Sequence, residues 1–221
     1  DRRRGVWVRE PAELADLVAR AAAGGIATQI HAIGDAAVRA ALDALEPSAG
    51  RVPFMPRIEH VQLLDDDDRG RFARAGIAAS VQPVHLGSDA AQARRLWGAR
   101  AERDGYTWRS IAATGAVLAF GTDAPVEPFD PWPGIALAAR REDPRWPAGT
   151  PPFAPDEALS VAQAIRASCV GPPRSANDPD RGRLTVGQRA DVVVIPAASL
   201  DEPVQPGGTL ARTRPSMVLV D

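Results

Sequence analysis

Three short apolar runs in this chain end on residues that can hold a metal ion. Thr28-Gln29-Ile30 leads into His31, Arg57-Ile58-Glu59 leads into His60, and Phe120-Gly121-Thr122 leads into Asp123. A turn or a polar stretch follows each of them. This pattern places the polar residue at the carboxyl end of a buried strand. In parallel α/β folds that edge is where chemistry gathers. Two neutral imidazole nitrogens and a carboxylate oxygen make a donor set for a divalent cation. Such an ion lowers the pKa of water and polarises a carbonyl. Asp123 would then take a proton from the water and return it to a leaving amine. Hydrolysis of a small-molecule amide is the chemistry this trio predicts.

Other residues gather around the trio in the sequence. His85 follows Val81-Gln82-Pro83-Val84, just past the end of another apolar run. From there it could hydrogen-bond a substrate carbonyl or stabilise an oxyanion; the alternative is a surface loop histidine. Gln82, Asp89, Tyr106 and Arg109 are candidates for lining the substrate pocket, and Trp132 and Trp146 for an apolar wall. Arg57 and Glu59 share the strand face opposite His60 and are expected to pair with one another.

Alternating strands and helices must position these groups. Pro11 to Ala23 reads as a helix, with Leu14, Leu17, Val18 and Ala21 on one face. A strand over 26–31 follows, then a helix from Asp35 to Glu46 with Asp35 as its cap and Val38, Ala41, Leu42 and Leu45 inward. Strand 57–61, helix 65–75 and strand 77–82 come next. The segment 84–106 reads as a long, largely irregular stretch with a short helix near 89–97. Helix 108–114 and strand 116–121 complete a fourth unit. Helices are expected at 135–141 and at 156–170, the latter capped by Asp156. Beyond Gly171 the pattern turns to short alternating runs at 191–195 and 216–220. Residues 1–170 are therefore assigned to an α/β domain and 171–221 to a C-terminal β segment. Four β-then-α units argue for a parallel sheet, and their spacing suits about half of a TIM barrel. No glycine-rich phosphate loop follows any strand, which removes support for a nucleotide-binding open sheet.

Composition narrows the chemistry. Net charge is −2 over 221 residues with both signs interspersed, so neither nucleic acid nor a membrane surface is indicated as a partner. Arg2-Arg3-Arg4 reads as a solvated loop and Asp65–Asp68 as the cap and first turn of a helix. The single cysteine, Cys169, excludes an intramolecular disulfide and reads as a small core residue. The absence of a leader or long apolar span makes the cytoplasm the default address. All basic residues are arginine, which excludes Schiff-base lysine chemistry and a carbamylated lysine within this chain.

His-Ala-Ile-Gly-Asp at 31–35, Arg-Ile-Glu-His at 57–60, Gln-Pro-Val-His at 82–85 and Gly-Thr-Asp-Ala-Pro-Val at 121–126 together resemble the amidohydrolase superfamily. The likeness is to its amidohydrolase-3 branch, which includes N-substituted formamide deformylases. Gly182 to Val194 is similar to that family's C-terminal signature. The resemblance implies a TIM barrel with a metal, for which zinc is expected. His31 would be the strand-five ligand, His60 the strand-six ligand and Asp123 the strand-eight aspartate. Members begin with a His-x-His pair on strand one, which this chain lacks. The resemblance thus implies barrel strands five to eight, followed by part of a composite β-sandwich. Such a half-barrel exposes sheet edges and is expected to need its N-terminal half or a second copy. Two other readings stand beside it: an inactive structural or interaction module, and an open-sheet binder without metal.

Overall fold

The computed structural model describes residues 5–196 and 209–221. The Arg2–Arg4 run lies outside them. Four strands, β1 (Gln29–Ala32), β2 (Arg57–His60), β3 (Ala78–Val81) and β4 (Leu118–Phe120), form one sheet in the order β1-β2-β3-β4, all parallel. Each strand lies beside its predecessor, so the sheet winds in one direction with no reversal of order. The sheet is therefore the parallel α/β structure predicted, without the order switch of a doubly wound fold.

Register explains which side the helices cover. Ile30, Ile58, Ala79 and Leu118 stand in one row across the four strands and all join the hydrophobic core. The next row, His31, Glu59, Ser80 and Ala119, points to the other face. Its members are polar or small, which suits a face that receives no helix of aliphatic side chains.

The helices supply the opposite layer. α1 (Pro11–Ala23) starts with proline at its first position and carries the i,i+4 pairs Arg9–Glu13 and Arg20–Asp16. It buries Val18, while Leu17 is exposed, contrary to the inward face expected for it. α2 (Asp35–Leu45) buries Val38, Ala41, Leu42 and Leu45 completely. Val38, Leu42 and Leu45 each contribute about 1.5–3 kcal/mol of transfer free energy. Its N-cap is Gly34, not Asp35. Asp35 instead pairs with Arg100 at 2.8 Å.

Several elements differ from expectation. Helix 65–75 is two short helices, α3 (Asp66–Arg69) and α4 (Arg71–Ala75), with Asp65 capping the first as anticipated. The supposedly irregular stretch is α5 (Val84–Trp97) and α6 (Arg100–Asp104). Pro83 opens α5 as well as ending β3, because a proline lacking its N–H costs nothing before a first helical turn. α7 (Trp108–Ala113) and α8 (Trp132–Arg140) follow. The helix expected from Asp156 begins later: Pro155–Glu157 is a 3₁₀ turn, Ala158 is extended, and α9 (Val161–Cys169) starts behind a Ser160/Gln163 capping box. Cys169 ends α9 exposed and is not a core residue.

Gly171, at the assigned boundary, begins α10 (Gly171–Ser175) and packs directly on the Leu118 carbonyl of β4. β5 (Val192–Val194) and β6 (Met217–Leu219) form a separate antiparallel pair. Among the described residues no helix is long and apolar enough to cross a membrane.

Candidate metal centre

The histidine at the end of β2 is not where a regular strand would put it. His60 stands in register with Ala32, whose side chain is buried on the helix side. At His60 the backbone turns left-handed, with φ 76° and then 46° at Val61. Non-glycine residues rarely adopt this region, and where they do the surrounding structure holds them. The break carries the imidazole to the edge of the sheet, where its ring centroid lies 4.6 Å from that of His31 and 5.6 Å from that of His85. Asp123, past the end of β4, is also left-handed, with φ 61°.

One nitrogen of His60, one of His85 and one carboxylate oxygen of Asp123 lie within 4.8 Å of one another. His31 touches this group through the edge of His60 and is itself exposed. Nδ1 of His60 is buried with no hydrogen-bond partner among the described residues. An orphaned buried nitrogen is costly unless something binds it. Burial, and then the neighbouring His31, push the His60 pKa down, so the ring stays neutral and keeps a lone pair for a cation. Donor types and the orphaned nitrogen together fit a divalent metal ion.

His85 sits in the first turn of α5, buried, not in a surface loop. Its Nε2 is 3.2 Å from Asp123 Oδ2, and its Nδ1 is 3.7 Å from Glu127 Oε1. The Ser88 hydroxyl lies within hydrogen-bond reach of Glu127 Oε1 at 3.2 Å and of the His85 carbonyl at 3.1 Å. The sequence reading missed Glu127. Its signal was the spacing, four residues after Asp123 in a turn that the Val126 N–H closes onto the Asp123 carbonyl at 2.8 Å.

The other candidates divide. Gln82 is buried and donates from Nε2 to Glu59 Oε2 at 3.1 Å, while Arg57 donates to Glu59 Oε1 at 2.8 Å, the pairing expected. Asp89 lies one turn beyond His85 and accepts from Gln62 Nε2 at 3.3 Å. Tyr106 is buried against Trp97, Trp108 and Phe153, with burial and then Asp89 raising its pKa. Arg109 is exposed and donates to the Asp156 carbonyl at 3.0 Å. Trp146 donates to the Gly87 carbonyl of α5 at 2.7 Å, and Trp132 is half-buried at the start of α8.

Comparison with known proteins accords with this arrangement. The model of the amidohydrolase family matches residues 2–221. Protein LONG AFTER FAR-RED 3 of Arabidopsis thaliana is 36% identical over 203 residues, covering 90% of this chain and 34% of that protein. N-substituted formamide deformylase of Arthrobacter pascens is 27% identical over 196 residues, covering 86% of this chain and 35% of that protein. The crystal structure of an uncharacterized metal-dependent hydrolase from Pyrococcus horikoshii OT3 aligns with a TM-score of 0.73 at 32% identity. That alignment covers 84% of this chain and 37% of the other. The chain thus spans about a third of the length of the curated relatives it matches. On the match over residues 2–221, it belongs to the amidohydrolase family, in the amidohydrolase-3 branch.

Proposed function

We propose that this chain forms strands five to eight of a metal-dependent hydrolase barrel that cleaves a C–N bond of a small amide or formamide. The observation that carries the reading is the meeting of His60, His85 and Asp123 at the carboxyl ends of successive strands, with Nδ1 of His60 buried and unpartnered. The formamide deformylase relative supports a substrate of the amide class. His31, His60 and Asp123 are the residues that would hold the ion, and nitrogen with carboxylate donors suit zinc. Remaining ligands, and the rest of the substrate pocket, would come from an N-terminal half.

The chemistry supplied by a divalent ion bound there is carbonyl polarisation and a lower water pKa. The chain's own residues do the rest. Asp123 accepts a proton from the attacking water through its carboxylate. It then delivers that proton to the leaving nitrogen, so that amide and water become acid and amine. His85 holds Asp123 Oδ2 in place through Nε2. His60 stays neutral.

The test uses the full-length protein. Amide or formamide turnover is expected to vanish with a chelator and return with zinc. Asp123→Asn is expected to lower kcat by about 10²-fold or more while the protein stays folded by circular dichroism. Undiminished turnover in that variant would overturn the reading.

A further inference from the structure

Three arginines converge at the opposite end of the sheet from the metal centre. Gly171 opens α10 against the Leu118 carbonyl at the start of β4. The Ser175 carbonyl accepts from the N–H of Met55, two residues before β2 begins, at 3.1 Å. α10 therefore lies at the amino ends of the strands, whereas His60 and Asp123 stand at or past their carboxyl ends. Beyond α10 the chain folds back. The Asp178 N–H bonds the Pro173 carbonyl at 2.9 Å, and Gly182, with φ 85°, comes so near the Cys169 carbonyl that a Cβ would not fit. The fold-back brings Arg181 and Arg183 beside Arg174. Together with Asn177 they line a cleft of about 260 Å³, with Val170 and Pro179 as its apolar wall. Arg174 and Arg183 are exposed, and their side chains have no hydrogen bond or ion pair among the described residues. Arg181 stands 3.4 Å from Asp178 and 3.6 Å from Asp191, too far for a charge-assisted hydrogen bond to either. By contrast, Arg71 is fully spent on Asp43, Glu46 and Asp68. Asp178 is the one carboxylate in the cleft lining.

We infer that this cleft binds the phosphoryl group of a small phosphate monoester. A guanidinium presents planar, paired donors that match phosphate oxygens, and it stays charged at any physiological pH. Three such groups against one carboxylate leave two positive charges unanswered. A phosphate monoester carries close to two negative charges at neutral pH, whereas a single carboxylate carries one. The volume sets the size of the ligand. It falls below the roughly 300–1,000 Å³ of clefts that hold drug-sized molecules, so a phosphate with a short organic remainder along Val170 and Pro179 fits and a nucleotide does not. The cleft and the metal centre lie at opposite ends of the strands. Its occupant is therefore a second ligand, bound apart from any substrate of hydrolysis, and the inference stands independently of the hydrolase reading.

Phenyl phosphate, inorganic phosphate and vesicles containing phosphatidic acid are titrated into the full-length protein by calorimetry at low ionic strength. Each titration is run on the protein as purified and again after treatment with a chelator. A metal ion attracts phosphate too, so the cleft is read from the binding that survives chelation. Phenyl phosphate is expected to bind there one to one, and more tightly than inorganic phosphate because its ring lies on Val170 and Pro179. Added salt should weaken it. Arg174→Gln and Arg183→Gln should each weaken it by about tenfold or more, the usual loss of a hydrogen bond to a charged group. Arg95→Gln, which removes an exposed arginine outside the cleft lining, should change nothing. Asp178→Asn keeps the side-chain oxygen that accepts from the Asp180 N–H and removes the opposing charge, so it should tighten binding. Because the substituted arginines are exposed, the unfolding midpoint should hold in every arginine variant. Absence of binding after chelation, equal losses in Arg95→Gln and the cleft variants, or weaker binding in Asp178→Asn would each overturn the inference. Inorganic phosphate bound as tightly as phenyl phosphate would overturn the monoester in favour of the free ion. Binding to the vesicles alone would overturn it in favour of a lipid headgroup.

Discussion

The His60 ring lies edge-on to His31, centroids 4.6 Å apart at an interplanar angle of 68°, although β-sheet register pairs His60 with Ala32. The left-handed backbone at His60 resolves the conflict by turning the chain at the strand's last residue. Two histidines from adjacent strands therefore reach the same edge of the sheet from different rows. A loop residue could have done this without strain. Here the strain is held by Val61, fully buried just behind it, whose N–H is bonded to the Ala32 carbonyl at 3.0 Å.

This arrangement makes a prediction about metal binding. With His31, His60 and Asp123 as ligands, His31→Ala and His60→Ala are each expected to weaken metal retention by at least about tenfold. His85→Ala should leave stoichiometry intact, because that ring serves Asp123. Metal content after dialysis against a competing chelator, measured on the full-length protein, checks the ranking. Loss of the ion in His85→Ala with retention in His31→Ala would reverse the ligand set.

The strand ends were legible because each combines an apolar run with a polar terminus and a turn, and local pattern fixes all three. Pro11, Gly76 and the α2 face were legible for the same reason. What escaped depends on tertiary partners. Asp35 looks like a cap from its neighbours alone, but Arg100, 65 positions away, claims it. Asp68 reads as one more carboxylate in the first turn of a helix, yet it is buried between Arg39 at 2.8 Å and Arg71 at 3.0 Å. Glu127 is unremarkable until α5 begins at Val84 and brings Ser88 and His85 beside it. In the sequence pattern Pro83 marks only the end of β3, so the start of α5 is not legible there. Asp156 is expected as a cap, but the capping box at Ser160 starts the helix.

Close packing of α10 on the sheet gives a second prediction. A Cβ on Gly171 would meet the backbone carbonyl of Leu118 and the Cα of Ala119, and backbone cannot swing aside as a side chain can. Gly171→Ala is therefore expected to destabilise the protein by about 1–3 kcal/mol, the usual cost of overpacking. The midpoint of denaturant unfolding should fall with little change in slope. An unchanged midpoint would mean that α10 is free to move off β4.

The last prediction concerns acid. Asp104 is buried at the end of α6 and accepts from Arg103 Nε and Nη2 and from Arg100 Nε, each at 2.9 Å. Those hydrogen bonds, Arg103 foremost, hold its carboxyl below the usual range against the opposing effect of burial. A carboxylate whose folded pKa lies below its unfolded value of about 3.9 stabilises the fold above that value and loses the contribution as pH falls through the folded pKa. Arg100 also holds Asp35 at the start of α2, so protonating Asp104 loosens the anchor of the segment that follows His31. The urea midpoint of the wild type is expected to drop more steeply than that of Asp104→Asn as pH is lowered below about 4. At neutral pH the variant should be the less stable of the two, and the curves should converge in strong acid. Parallel curves across that range would show that Asp104 titrates alike in the folded and unfolded chains, and the Arg100–Asp104 contact would then carry no acid sensitivity.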